Sequence, residues 1–313
     1  MAPRPFHGKV VGVGLGRTGT NSLSVALNHL GIRTRHFPGP LTREDLRSGR
    51  KHLAVLRDYQ GIANGTGAPY RLIDREYPDA KFVLTIRRDR EAWIESKRRY
   101  AALELENWSR FDTATRASKR LIREEVYGSF EFDADAWLAA YTGHTRAVLE
   151  YFAGRPAGLL EMDIGAGDGW DVLCPFLGVP APTIPFPHEN SLEAASEWYG
   201  KVARVWADID RWIAPDQTFV MVDDDELGVR ERRAIPFLER NGEYWGRPTD
   251  DGMAVAELER MRRAGAGFVV FVWSTFWWLE HYRGFHQYLL DRYEPVLQND
   301  RVLVFDLRPD GEA

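Results

Sequence analysis

Apolar residues recur along the chain with two different periods, and the switches between them mark out its elements. Lys9–Gly14, "KVVGVG", is a short β-branched run closed by glycine and reads as a buried strand. From Thr20 to Leu30 the residues Leu23, Ala26, Leu27 and Leu30 fall at helical spacing, and Gly31 supplies a stop. Residues 42–57 read as a charged amphipathic helix. "AKFVLTIRRD" predicts a second buried strand from Lys81 to Ile86, and Ala92–Tyr100 a helix after it. Residues 113–127 and 135–153 carry helical periodicity. "AGLLEMDI" is then a strand, "GWDVLCPFLG" its following helix, and the proline-rich "VPAPTIPFPHEN" an extended exit.

The alternation then restarts. Glu193–Ile213 reads as helix, "QTFVMVDDD" as strand, Thr249–Ala264 as helix, "GFVVFVW" as strand, Trp277–Tyr293 as helix and "RVLVFDL" as a last strand. Asp250 and Asp251 fall where a helix dipole favours acids. Strands alternating with helices imply an α/β fold with a parallel sheet covered by helices. The best boundary lies near residue 195, giving units 1–195 and 196–313. There is no internal repeat and no low-complexity tract.

Composition narrows the classes. With 44% hydrophobic and 28% charged residues in 313, a packed core is expected rather than disorder. A formal net charge of -5 argues against non-specific nucleic-acid binding. The one cysteine, Cys174, excludes an intramolecular disulfide, suits a reducing cytoplasm and reads as core. The first residues lack a long apolar stretch, and "GAGFVVFVWSTFWWL" is shorter than the roughly 20 residues of a membrane helix, so a cytoplasmic protein without a membrane span is expected.

The chemistry concentrates in "KVVGVGLGRTGTNSL", a strand running through glycines into a helix. Three cofactor readings compete for it. Gly14-Leu15-Gly16-Arg17-Thr18-Gly19 satisfies the dinucleotide fingerprint, but the acid expected about 20 residues on is replaced by the basic "GIRTRHFP", where only an NADP version using Arg33 or Arg35 would fit. A triphosphatase loop would need Lys-Ser/Thr where Thr20-Asn21 stands, so both the lysine charge and the magnesium-binding hydroxyl are missing. A metal-free cradle needs helix-terminal amides, the fixed cationic fork of Arg17, and hydroxyls from Thr18, Thr20 and Ser22. That set suits a phosphosulfate.

On these residues the chain resembles the bacterial branch of the sulfotransferases that use 3'-phosphoadenosine 5'-phosphosulfate, whose loop reads G-x-x-R-T-G-T-x-S-L. "GLGRTGTNSL" matches it. "YPDAKFVLTIRRDREAWIESKRR" is similar to the family's strand ending in an arginine, followed by a helix with a serine. "GDGWDVLCPFLGVPAP" is similar to its G-W-x-x-L-C-x-F-L-G segment. The resemblance spans most of residues 8–190. It implies a P-loop-like three-layer fold, a nucleotide held by Gly16, Arg17, Thr18, Gly19, Thr20, Asn21 and Ser22, and a 3'-phosphate held by Ser96 with Arg87 or Arg88. Arg88 keeps the family's eight-residue spacing to Ser96, whereas Arg87 directly ends the strand.

The resemblance further implies sulfonate transfer to a hydroxyl or amine of a small-molecule or carbohydrate acceptor, without a metal. Arg17 would stabilise the leaving phosphate, and His36 or Asp58 would serve as general base. His7 and His52 read as solvent-facing. A rival motif, Asp163-x-Gly165-x-Gly167-x-Gly169, resembles the glycine loop of S-adenosylmethionine-dependent methyltransferases, but it comes about 150 residues into the domain rather than at its opening. A non-catalytic nucleotide-binding scaffold is the other alternative.

Residues 196–313 resemble a module of unassigned role appended to bacterial sugar- and methyl-transfer enzymes. Its Trp245, Trp277, Trp278 and Tyr282 are candidates for stacking on an acceptor or for core packing. "VDDDELG" reads as a solvated acidic loop rather than a metal site. The sequence leaves the acceptor and the oligomeric state open.

Overall fold

The computed structural model describes residues 6–36, 55–63, 66–111, 113–189, 192–224, 227, 234–240 and 243–308. They fall into two units: residues 1–106 with 117–195, and 107–116 with 196–313. The predicted helix over 42–57 lies mostly outside the described residues. Only its end, Val55–Asp58 (α2), is seen as helix.

The first unit is built on strands β1 (Val10–Gly12), β2 (Thr34–His36), β3 (Gly61–Ala63), β4 (Lys81–Thr85) and β5 (Leu159–Met162), in the order β2-β3-β1-β4-β5. Every pairing is parallel. Such a sheet must be buried on both faces. Val10, Ala63, Val83 and Met162 face α1 (Thr20–His29) and, after the later helices α3 (Tyr70–Glu76), α4 (Arg90–Glu106), α5 (Thr113–Tyr127) and α6 (Ala134–Phe152), also α7 (Trp170–Leu177). Val11, Val13, Ile62, Phe82 and Leu84 face α3 and α6. This is a three-layer α/β/α arrangement. Cys174 is buried on the α7 side, as its apolar context implied, and burial raises its thiol pKa.

The order of strands decides where a ligand can go. From β1 the chain leaves through α1 to β2 on one side, whereas β4 lies on the other. The carboxyl ends of β1 and β4 therefore flank a topological switch point, the usual crevice of a parallel α/β sheet. β3, the three residues "GIA", escapes a reading by periodicity because it is too short to show one.

The second unit continues with α8 (Leu192–Trp212), β6 (Phe219–Val222), β7 (Ala234–Pro236), β8 (Glu239–Arg240), β9 (Glu243–Tyr244), α9 (Asp251–Arg263), β10 (Phe268–Val272), α10 (Trp277–His281), α11 (Arg283–Arg292), β11 (Pro295–Gln298) and β12 (Val302–Asp306). Its sheet runs β11-β12-β10-β6-β7. The expectation of an all-parallel sheet fails here: β6 pairs with β7 and β10 in parallel, but β12 is antiparallel to both β10 and β11. The cause is a tight hairpin between β11 and β12. Asn299 Oδ1 accepts from the amides of Arg301 and Val302, at 2.8 and 2.9 Å, and reverses the chain. The single helix expected over Trp277–Tyr293 is broken at Tyr282 into α10 and α11.

Candidate active site

The loop from Val13 to Gly19 crosses the top of β1 at the switch point. Its geometry depends on two glycines. A Cβ on Gly14 would lie 2.0 Å from Thr85 Oγ1 and 2.5 Å from the Thr85 carbonyl, so only glycine lets the loop pass over β4. Gly19 caps α1 at φ 94, a left-handed conformation. This turn starts α1 directly behind the loop, so that the amino end of the helix lies at the crevice.

Arg17 also has a left-handed backbone, φ 73. For a non-glycine residue this costs on the order of 1–3 kcal/mol and is characteristic of positions where a side chain must be aimed. The guanidinium crosses to α4, where Nε donates to Ser96 Oγ at 3.0 Å and the group lies over the Tyr100 ring at 5.2 Å. Trp93 Nε1, also from α4, donates to the Gly16 carbonyl at 3.1 Å. Arginine, loop and the serine after β4 are thus assembled on the two sides of the switch point.

The hydroxyls of this segment divide into two groups. Thr18 is buried, and its Oγ1 donates to the Leu15 carbonyl at 2.6 Å while lying 2.7 Å from Thr85 Oγ1. Ser22 is buried against Glu189, accepting from its amide at 2.9 Å. Both hydroxyls hold the loop's shape. Thr20 alone joins the candidate chemistry, its Oγ1 lying 3.4 Å from Nε2 of His36 at the end of β2. Protein packed around the imidazole lowers the His36 pKa to about 4 by desolvation. The residue also keeps exposed surface, where water moderates the shift, so it is the direction, toward neutral imidazole, that bears on the chemistry. Asp58 ends α2, and its side chain lies outside the described ones. His7 is exposed, as expected, and His52 lies outside the described residues.

The two arginines after β4 part company. Arg88 turns to the loop after β5: its amide donates to Asp163 Oδ2 at 2.9 Å, and its guanidinium lies 3.8–3.9 Å from Glu161, Asp163 and Asp168. Arg87 folds along α4, and its Nη1 donates to the Ala92 carbonyl at 3.1 Å, one turn before Ser96. Among the described residues no carboxylate lies within ion-pair distance of Arg87. Tyr141 clamps this corner, with its hydroxyl donating to the Arg87 carbonyl and accepting from the Arg87 amide.

The glycine loop after β5 has an internal use for its acids. Asp163 accepts from Ala166 and Arg88 amides, and Asp168 accepts from the Asp163 amide. The loop follows the edge strand β5 rather than the first strand of the sheet. These carboxylates order a turn that holds Arg88, and the methyltransferase alternative is not favoured.

Two site residues escaped the sequence reading. His144 of α6 is mostly buried, and its Nε2 donates to the Val13 carbonyl at 2.7 Å, pinning the start of the loop; burial lowers its pKa. Lys97, next to Ser96, is buried with Nζ donating to Tyr127 Oη at 3.1 Å. Neither carries a local signal, since helical His and Lys ordinarily face water.

In the second unit Trp278 is fully buried, and Trp277 is exposed beneath the Arg247 guanidinium at 4.6 Å. Asp250 caps α9 and Asp251 caps the start of α11, so both acids are helix caps. No group of three or more His, Cys, Asp or Glu among the described residues is gathered for a metal. No helix among them is long and apolar enough to cross a membrane.

The chain is 26% identical over 222 residues to the Ava biosynthesis cluster protein M of Aspergillus versicolor, spanning 58% of this chain and 80% of that protein. Among solved structures it is similar to a sulfotransferase from Alicyclobacillus acidocaldarius, with 20% identity, a TM-score of 0.37, and coverage of 66% of this chain and 94% of that one. The sulfotransferase domain family matches residues 9–195, the stretch that carries the cradle, both arginines, Ser96 and the proline-rich exit. The chain belongs to the sulfotransferase domain family.

Proposed function

We propose that this protein transfers a sulfonate group from 3'-phosphoadenosine 5'-phosphosulfate to a hydroxyl or amine of a small-molecule or carbohydrate acceptor. The observation that carries the reading is the convergence, at one switch point, of Arg17, Ser96 and the amino end of α1. The residues fit the nucleotide: Gly14 lets the loop pass over β4, the amides from Gly16 to Asn21 suit the 5'-phosphate, and Arg17 supplies the charge that a metal would otherwise bring.

During transfer the sulfur–oxygen bond to the donor phosphate breaks as a bond to the acceptor oxygen forms. Negative charge moves to the leaving phosphate, where Arg17 and the loop amides stabilise it. The acceptor proton passes to His36, which the lowered pKa keeps neutral near neutrality, so that its ring nitrogen is free to accept a proton, and Thr20 orients the ring. Asp58 is the second candidate base. Arg87, one turn from Ser96 and without a carboxylate partner among the described residues, is the better 3'-phosphate ligand, although spacing alone favours Arg88. The three acids around Arg88 offset its charge and repel a phosphate. Residues 196–313 are proposed to serve the acceptor side or a protein partner.

The test is incubation with donor labelled in its sulfonate and a panel of hydroxylated acceptors, including an extract of the source organism. A labelled acceptor is expected. Tight binding of 3',5'-adenosine bisphosphate with no labelled product from any acceptor would favour the non-catalytic scaffold instead. Binding of S-adenosylhomocysteine in its place would overturn the reading.

A further inference from the structure

Behind the cradle lies a buried cluster with more positive than negative charge. Lys97 on α4 is 7% exposed, and its ammonium faces the Tyr127 ring at 4.2 Å and the Trp137 ring at 4.9 Å while donating to the Tyr127 hydroxyl. Tyr127 ends α5 and is itself buried; burial drives its phenol pKa well above the ordinary value, and the backbone amide of Gly16, approaching its oxygen, opposes that only in part. Lys97 is therefore one hydroxyl removed from the centre of the loop, and one residue removed from the serine that holds Arg17.

On the helix of Lys97, Glu104 is an anion. Facing it from α5 are Lys119 and Arg123, which bind the Glu104 carboxylate at 2.6 and 2.7 Å. Arg17 approaches from the loop, and Tyr100 lies beneath Arg17. One carboxylate thus serves two cations of its own before Lys97 is counted. Desolvation is the largest influence on Lys97; Glu104 opposes it, while Arg123, Arg17 and Lys119 add to it, and together they bring its pKa down to about 7. Tyrosine and tryptophan faces can hold an ammonium here, and among the described residues Glu104, already shared by Lys119 and Arg123, is the carboxylate that acts on it.

An anionic nucleotide on the loop would add further negative charge. We propose that Lys97 is the buried counter-charge of the cradle, largely neutral in the free protein at mildly alkaline pH and taking up a proton from solvent as the nucleotide binds, with Tyr127 linking it to Gly16. This rests on the loop being the nucleotide site. Lys97 is a positioning residue in this account, since it reaches the ligand only through Tyr127 and the loop.

The experiment is titration calorimetry of the full chain with 3',5'-adenosine bisphosphate at about pH 8, in HEPES and in Tris, whose ionisation enthalpies differ, where an ordinary lysine would already carry its proton. Proton uptake approaching one per site is expected, shrinking as the pH is lowered through about 7. Lys97→Met should abolish the uptake and weaken binding about tenfold at neutral pH. Lys97→Arg, charged in both states, should bind without uptake. If Lys97→Met fails to fold, Lys97→Arg decides alone: retained binding with the uptake gone supports the proposal. Binding by the natural protein without uptake, or uptake that persists in either variant, overturns it. A failure of the nucleotide to bind at all would instead overturn the functional reading beneath it.

Discussion

Nε of Arg17 donates to Oγ of Ser96 at 3.0 Å, joining the loop after β1 to the helix after β4 across the switch point of the sheet. The bond restrains a guanidinium whose own backbone is held in a left-handed conformation. The arginine that would meet the leaving phosphate is thus positioned by a residue that would meet the far end of the same nucleotide.

Arg17→Ala should lower turnover by about 100-fold or more, the usual cost of removing a donor to developing negative charge. Ser96→Ala should have a smaller effect, raising the donor KM about three- to tenfold, because a neutral hydrogen bond is lost and Arg17 is left less constrained. Steady-state kinetics with varied donor measures both. Equal effects from the two substitutions would contradict the division of roles.

Arg87→Ala and Arg88→Ala should separate. The first is expected to weaken 3',5'-adenosine bisphosphate about tenfold or more while leaving a nucleotide without a 3'-phosphate nearly unaffected. The second removes a mostly exposed group held by weak ion pairs and should change binding by less than about threefold. The reverse ranking would return the role to the residue with the family spacing.

His36 should leave its mark on the pH profile. A base whose pKa is lowered from the ordinary histidine value of about 6.5 stays neutral through the physiological range, so the acidic limb of kcat/KM should lie below that value. An acidic limb at or above that value, or a His36→Ala variant with an unchanged profile, would exclude it as the base.

Lys97 should also be visible in stability without any ligand. Its pKa is lower in the folded than in the unfolded chain, so between about 7 and about 10 the unfolded state binds more protons and stability rises with pH. Denaturant unfolding should therefore show a pH-dependent gain across that window in the natural protein that Lys97→Met lacks.

The strand, glycine turn and helix from Val10 to His29 were legible in the sequence because each depends on neighbours a few residues away. The same holds for the strand before Arg87. What was not legible depends on distant partners. The Thr18 hydroxyl donates to the Leu15 carbonyl beside the Thr85 hydroxyl, and that of Ser22 accepts from the Glu189 amide, partners that nothing in the local sequence announces. Lys97 lies in "ESKRRY", where every local rule places charge in water; it is buried because Tyr127 and Trp137 from α5 and α6 cover it. The antiparallel β12 was missed because β11, four residues with two exposed, carries too weak a pattern to announce the hairpin.

The central claim is that Arg17 and the loop amides hold a phosphorylated nucleotide without a divalent ion. Titration of the natural protein and of Arg17→Ala with 3',5'-adenosine bisphosphate in the presence of a chelator tests it most directly. Binding that survives the chelator and falls about tenfold or more in the variant is predicted. Equal affinity in the two proteins, or binding that appears only when magnesium is restored, would contradict it.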